Sequence, residues 1–419
     1  MNYHDAIDWL YGTQFFGIKL GLDNIRRLLR ERTAFPDPGV KVIHVAGTNG
    51  KGSTCAMIDA LGRATGHRCG LFTSPHLVDF RERIQVDGVM ISEEDVAHEL
   101  TTLREIVADW EQHPTFFELT LALAMRHFRT QCVSLIVLET GMGGRLDATN
   151  AIPKDVAVIA PVAMDHAEWL GDTLAKIAAE KAGIIAEGKP VVCAPQQPEA
   201  LHVIEGQANE MRSRLVVIDA PLEGYGINLA GKHQRWNAAL AVEAVFQCGI
   251  TIRVDMVREA LGTVTWPGRF ERRIISDDNG NQLTIVLDAT HNPHAAGSLA
   301  ETWQEIYPTR KAVMVFGAAE KKDIGGVLDH LLPIAAEVIT VPINSPRSSS
   351  PNDLAKMINQ HNGTIRVHAE QSVAAGIERA RASARQSGML ILITGSLFLL
   401  GEATALLDNR SSTPRKSTQ

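Results

Sequence analysis

An apolar run that stops at Gly47 and reopens as a helix at Ser53 dictates the local architecture of residues 42–54, Val-Ile-His-Val-Ala-Gly-Thr-Asn-Gly-Lys-Gly-Ser-Thr. The pattern predicts a strand, a tight glycine loop and a helix start. Gly47, Gly50 and Gly52 let the backbone turn sharply and approach a ligand, because no Cβ obstructs either movement. The unpaired N–H groups and positive dipole end of a helix N-terminus, joined by the charge of Lys51, suit a triphosphate. A strict phosphate loop has Ser or Thr directly after the lysine, whereas Gly52 intervenes here before Ser53. A plain glycine-rich turn between strand and helix is the competing reading.

A chain of 419 residues exceeds what one core usually serves, so two domains are expected. The formal charge of −7 provides no basic footprint of the kind that neutralises phosphates along a nucleic acid, and nucleic acid is set aside as a partner. Cys55, Cys69, Cys132, Cys193 and Cys248 are scattered, odd in number and free of any C-x-x-C pair, which argues against a disulfide framework or a zinc site. The acidic N-terminus does not read as a signal peptide, and no apolar run approaches a bilayer span. A cytoplasmic protein, monomeric and without a membrane partner, is expected.

Before the loop, residues 7–32 are mostly helical in pattern, with a glycine-rich interruption over 12–21 that reads as a mobile element. After it comes an amphipathic helix closed by Gly66, then a run over 69–76 that places Ser74 at a strand end. Thr115-Phe-Phe-Glu118 has the spacing of a capping box and opens a helix to Thr130. The short apolar run 134–139 reads as a parallel strand buried on both faces, and it terminates in Glu139, where parallel sheets hold their ligands. Residues 156–160 repeat that pattern and lead to Asp165 and His166, a histidine that on its own would be structural. In the helix over 174–185, Lys181 completes the apolar stripe of Leu174, Ile177, Ala178 and Ile185. A stem lying on the core with its amine reaching water is the ordinary explanation for such a lysine. Strands are expected at 190–194 and 215–218, and a helix at 234–248 with Asn237 near its start.

Trp266-Pro-Gly-Arg269 breaks the pattern and marks the domain boundary, giving domains over 1–266 and 267–408 and a disordered polar tail over 409–419. The runs 283–287, 312–316, 338–341 and 389–393 alternate with helical sequence, which predicts a second α/β sheet whose first strand ends at Asp288. Residues 345–350 read as a loop. Phosphate loop, strand-end carboxylate, hydroxyl and the second domain's Asp288 and His291 suggest ATP and Mg²⁺ held for phosphoryl transfer.

Seven stretches in this order resemble the folylpolyglutamate synthase and dihydrofolate synthase group of the Mur ligase superfamily: H-V-A-G-T-N-G-K-G-S from His44, T-S-P-H-L from Thr73, E-x-G-x-G-G-R-L-D-A-T-N from Glu139, M-D-H from Met164, E-K-A-G-I from Glu180, P-G-R-F-E from Pro267 and D-x-x-H-N-P from Asp288. The resemblance implies an α/β protein with an N-terminal P-loop, Mur-ligase-like ATPase domain and a smaller Rossmann-like C-terminal domain. By position it implies that Thr48, Asn49, Gly50, Lys51, Gly52 and Ser53 hold the ATP phosphates, and that Asn237, Arg269 and Asp288 contact the nucleotide. Ser74, Glu139 and His166 match the family's magnesium ligands, and Lys181 its carbamylated lysine, which would use CO₂ to become an anion serving a second metal ion. Lys51, Lys181 and His166 are the implied catalytic residues. Thr115, Phe116, Phe117, Glu118, Leu146, Asp147 and Ala148 match the pterin side, with Asp147 offered as an acceptor for pterin N–H groups. For Thr115 and Glu118 the capping role stands equally.

The implied reaction adds L-glutamate to dihydropteroate and to reduced folates through an acyl phosphate, releasing ADP. A chain confined to polyglutamate synthesis, another Mur-type amide ligase acting on a UDP-linked peptide, and a non-enzymatic nucleotide switch are the alternatives. Two departures from the family pattern stand out: Asp288-Ala-Thr-His291 replaces the commoner D-G-A-H, and the segment between Arg269 and Asp288 is longer, with a turn over 277–281.

Overall fold

The computed structural model describes residues 1–16, 21–276, 280 and 282–409. The expected mobile element therefore lies partly outside the described residues, as do most of the turn over 277–281 and the tail beyond Asn409. The chain forms two compact units: 1–76, 80–228 and 234–265 make the first, and 77–79, 229–233 and 266 onward make the second.

The first unit is built on an eight-stranded sheet of β1 (Lys41–Ala46), β2 (Cys69–Phe72), β3 (Ile84–Val86), β4 (Val89–Met90), β5 (Leu135–Glu139), β6 (Val156–Ile159), β7 (Val191–Cys193) and β8 (Leu215–Val217), in the order β4-β3-β2-β5-β1-β6-β7-β8. β1, β2 and β5 to β8 are parallel, and β3 and β4 add an antiparallel hairpin at one edge. The central strands β2, β5 and β6 are buried along their whole length, which is why they read as unbroken apolar runs. Helices cover both faces: Leu119, Phe128, Ile136 and Leu138 belong to one core, and Ala157, Ile159, Ile177 and Ala178 to the other. The order reverses at β1, whose neighbours are β5 and β6, so the loop after β1 emerges at a topological switch point.

The second unit has a six-stranded sheet of β9 (Glu271–Ser276), β10 (Gln282–Asp288), β11 (Ala312–Phe316), β12 (Ala335–Thr340), β13 (Arg366–Ala369) and β14 (Leu390–Thr394), in the order β13-β12-β11-β14-β10-β9. All neighbours are parallel except β9 and β10. One expectation is corrected: Asp288 ends the second strand of this sheet, because the antiparallel edge strand β9 precedes it. Strand β9 alternates exposed and half-buried residues, with Ile274 facing outward, so it has no continuous apolar run.

Candidate active site

Residues 47–50 join β1 to the helix Lys51–Ala64. Gly47 has φ +153°, and a Cβ on it would lie 2.7 Å from the Cβ of Ala160. Gly50 caps the helix with φ +85°, and a Cβ there would lie 2.7 Å from Oδ1 of Asn237. Both positions therefore need glycine for backbone sign and for space. Thr48 fastens the loop to the segment after β6: its N–H donates to Pro161 O at 2.9 Å, and its hydroxyl donates to Ala163 O and accepts from Ala163 N. Ser53 is buried in the first turn, and Nε2 of Gln234 donates to its Oγ at 3.4 Å. Gln234 in turn accepts from Asn237, on the helix Lys232–Gln247. Asn237 thus stands against the glycine loop, as its assignment to the nucleotide requires.

Lys51 folds back onto its loop, with Nζ donating to Gly47 O at 3.2 Å and to Thr48 O at 3.3 Å. Lys181 reaches the same carbonyl from the helix Leu174–Ala182, its Nζ 2.9 Å from Gly47 O. The side chain of Lys181 does not reach water, which overturns the ordinary explanation of a lysine on an apolar stripe: the residue is 4% exposed. Burial, followed by the charge of Lys51, pushes its amine down to about 7. Two amines of like charge converge on one carbonyl.

Glu139 ends β5 in register with Val45 of β1, and is 5% exposed. Its Oε2 accepts from the backbone N–H of Ser74, in the segment that follows β2. His166 has φ +51° and caps the short helix Ala167–Leu170; its N–H donates to Asp165, its Nε2 lies 3.9 Å from the same carboxylate, and its side chain is 44% exposed. The donors fit Mg²⁺: Glu139 and Ser74 supply hard oxygens beside a phosphate loop. Mg²⁺ at nucleotide sites takes one or two protein oxygens and most of its other ligands from phosphate and water.

The segment after Glu139 folds around Asp147. Oδ2 of Asp147 accepts from Met142 N at 2.9 Å, and Oδ1 accepts from Thr149 N at 3.0 Å and Thr149 Oγ1 at 2.5 Å. The carboxylate offered by the sequence as a pterin acceptor is thus occupied by its own loop. Burial raises its pKa while these hydrogen bonds oppose the rise. Because the Thr149 hydroxyl gives its proton to Asp147, it accepts from His44 Nε2, 2.8 Å away on β1, which fixes the histidine as the Nε2–H tautomer. Arg145 ties the loop to the helix bearing Lys181, its N–H donating to Glu180 O at 2.7 Å.

Thr149→Val, which keeps the shape and removes the hydroxyl, leaves Asp147 and His44 short of partners at a typical loss of about 1–3 kcal/mol. The protein is expected to lose that much stability against denaturant, with Thr149→Ser close to the unmutated protein. Denaturant unfolding of the two variants checks this, and equal behaviour would remove the Thr149 hydroxyl from the support of the loop.

Of the residues that the resemblance matches to the pterin, Thr115 and Glu118 form a complete capping box for the helix Phe116–Thr130, so the capping role holds for both. Phe116 and Ala148 lie in the core; Leu146 is half-buried, and Phe117 packs on Gly141, where a Cβ would lie 2.7 Å from its ring. In the second unit, Asp288 repeats the arrangement of Asp147: Oδ1 accepts from Thr290 N and Oγ1, and Oδ2 from Phe270 N. Arg269 lies one residue away, its Nη1 on Gly268 O at 3.1 Å. Residue order assigns no role to Tyr11 or Arg83, and His44 and His76 enter it only as members of the first two motifs. Arg83, next to Arg81 and Glu82, resembles any solvated charge.

Residues 45–221 match the Mur ligase middle domain, and residues 268–397 match the Mur ligase glutamate ligase domain. Together with a phosphate loop at the switch point of the first sheet, these define a Mur-type ligase. A dihydrofolate synthase/folylpolyglutamate synthase of Bacillus subtilis is 32% identical over 96% of this chain and 98% of its own length. The chain therefore belongs to the dihydrofolate synthase/folylpolyglutamate synthase family. A probable bifunctional folylpolyglutamate synthase/dihydropteroate synthase of Haloferax volcanii is 36% identical over 96% of this chain, which spans only 50% of that longer protein. The bifunctional folylpolyglutamate synthase/dihydrofolate synthase of Yersinia pestis, solved with AMPPNP and a Mn ion, superposes with a TM-score of 0.85 at 28% identity, covering 97% of this chain and 98% of that one. Among the described residues no helix is long and apolar enough to cross a membrane.

Proposed function

We propose that this chain is an ATP-dependent carboxylate–amine ligase that joins L-glutamate to dihydropteroate, forming dihydrofolate, and to reduced folates, forming polyglutamates. The observation that supports it best is the convergence of Lys51 and Lys181 on the Gly47 carbonyl, beside a strand whose neighbour ends in Glu139. The N–H groups of residues 50–53 and the Lys51 amine bind the ATP phosphates, while Thr48 and Asn49 give their N–H groups to Pro161 O. Asn237, Arg269 and Asp288 are assigned to the nucleotide on the family resemblance, the last two within its motifs. Ser74, Glu139 and His166 are the proposed ligands of Mg²⁺, which when bound offsets charge on the phosphoryl oxygens. A substrate carboxylate oxygen attacks the γ-phosphorus as the bond to ADP breaks, and Lys51 moves from its loop carbonyls to the developing charge. The glutamate amine then attacks the acyl phosphate carbonyl, losing a proton as the C–N bond forms and phosphate departs.

Lys181 is proposed to carry CO₂ as a carbamate. A buried amine facing Lys51 is poorly placed as a cation, and the neutral form that burial favours is the one that reacts with CO₂. A carbonyl signal at this residue after incubation with labelled bicarbonate is the expected result; an unmodified amine under saturating bicarbonate and Mg²⁺ would remove the carbamate.

ADP release with glutamate is to be measured against dihydropteroate and tetrahydrofolate separately. Turnover with both is expected. Turnover with tetrahydrofolate alone makes the chain a polyglutamate synthase only, and turnover only with UDP-linked peptides makes it another Mur ligase.

A further inference from the structure

Arg83 is a buried guanidinium that makes no ion pair with any of the described residues. It is 1% exposed, and its Nη1 has no acceptor among the described residues. Its Nε donates to His76 Nδ1 at 2.7 Å. A guanidinium keeps its protons, so Nδ1 is the bare nitrogen of that ring and Nε2–H faces the hydroxyl oxygen of Tyr11 at 3.2 Å. His76 is therefore a neutral partner. The other neighbours are aromatic. The guanidinium carbon lies 5.3 Å from the ring centre of Phe116, Tyr11 meets Phe116 edge-on at 5.2 Å, and Phe80 meets both Phe116 and His76 edge-on. Burial pushes the Arg83 guanidinium down to about 10, while Tyr11, Glu139 and Glu82 pull the other way.

Removing a cation from water without an anionic partner costs several kcal/mol, and an apolar side chain of similar volume would fill such a sleeve better. The charge is also next to the candidate chemistry. Arg83 O accepts from Thr73 N at 3.0 Å, and the following residue, Ser74, donates its N–H to Glu139. On the reading of function given above, the arriving anions are the ATP phosphates, which the glycine loop takes, the carboxylates of L-glutamate, and the carboxylate of the pterin substrate, which alone arrives on an aromatic body that suits the rings around Arg83. We propose that Arg83 receives that carboxylate, with Nη1 as the donor left open for it. Nη1 is enclosed in this structure, so loading moves one of the rings around it.

The test is a binding preference. Dihydropteroate and its carboxamide counterpart are titrated into the full chain without nucleotide or divalent metal, so that only the protein's own charges distinguish them. The unmutated protein is expected to bind the carboxylate at least tenfold more tightly. Arg83→Gln, which retains a donor toward His76 and removes the charge, is expected to bind both compounds equally, and Arg83→Lys to regain part of the preference. Affinity for ADP should be unchanged in both variants, which a merely structural arginine would not ensure. A folded Arg83→Gln protein that keeps the tenfold preference overturns the inference. So does an unmutated protein that binds the two compounds equally, whether or not the variants fold. If the unmutated protein neither binds nor ligates a pterin carboxylate, the functional reading falls and takes this inference with it; turnover with an unchanged preference in Arg83→Gln removes the inference alone.

Discussion

Lys51→Ala is expected to lower ADP release by about a hundred- to a thousandfold while leaving the fold intact, the range typical for removing one charge stabiliser from a reacting oxyanion. Its Nζ touches only loop carbonyls, and Gly47 O retains Lys181 as a donor after the substitution. A positive charge at the first position of the helix Lys51–Ala64 also opposes the helix dipole, so stability should hold or rise slightly. Circular dichroism and ADP release measured on the same preparation check both halves. Normal turnover would remove the loop from the mechanism.

Lys181→Met separates chemistry from stability. Methionine fills nearly the same volume without an amine to desolvate, so in bicarbonate-free buffer, where position 181 carries no CO₂, the melting temperature is expected to stay level or rise as the buried amine beside Lys51 is replaced by an apolar side chain. Turnover is expected to fall at least a hundredfold, since the variant can neither carry CO₂ nor hold a metal ion. A lysine kept only for packing would give the opposite pair of results: retained activity and a lower melting temperature. Thermal unfolding and steady-state ADP release distinguish the two.

What could be read from residue order alone follows from which physical signal each element carries. β1, β5 and β6 were visible because a strand covered on both faces is apolar throughout, and the loop after β1 because it needs glycine at two positions. Edge strands carry no such signal: β9 and β13 mix charged and apolar residues and were missed. The β3–β4 hairpin does carry a local signal, Asp87-Gly88 between short apolar stretches being a strong turn pattern. For the site, position along a strand placed Glu139 correctly at its end. Periodicity put Lys181 on the right face but could not tell that its amine ends on a carbonyl of the loop. Nor could it show that the oxygens of Asp147 are filled from within its own loop, because those donors are backbone groups that every residue possesses.

The turn shared by Asp147-Ala-Thr149 and Asp288-Ala-Thr290 changes when order is lost in the life of the molecule. Each aspartate has one oxygen taken by the amide and hydroxyl of the threonine two residues on, so its rotamer is selected as the chain folds. Immobilising a free side chain at an interface typically removes about 0.5–1.5 kcal/mol from affinity. In a chain with D-G-A-H at the second position the backbone donors to the aspartate remain and the hydroxyl does not, so the side chain is held less firmly as the chain folds. Threonine at position 290 adds the third donor and shifts more of that ordering into folding, where it is shared with the whole cooperative transition.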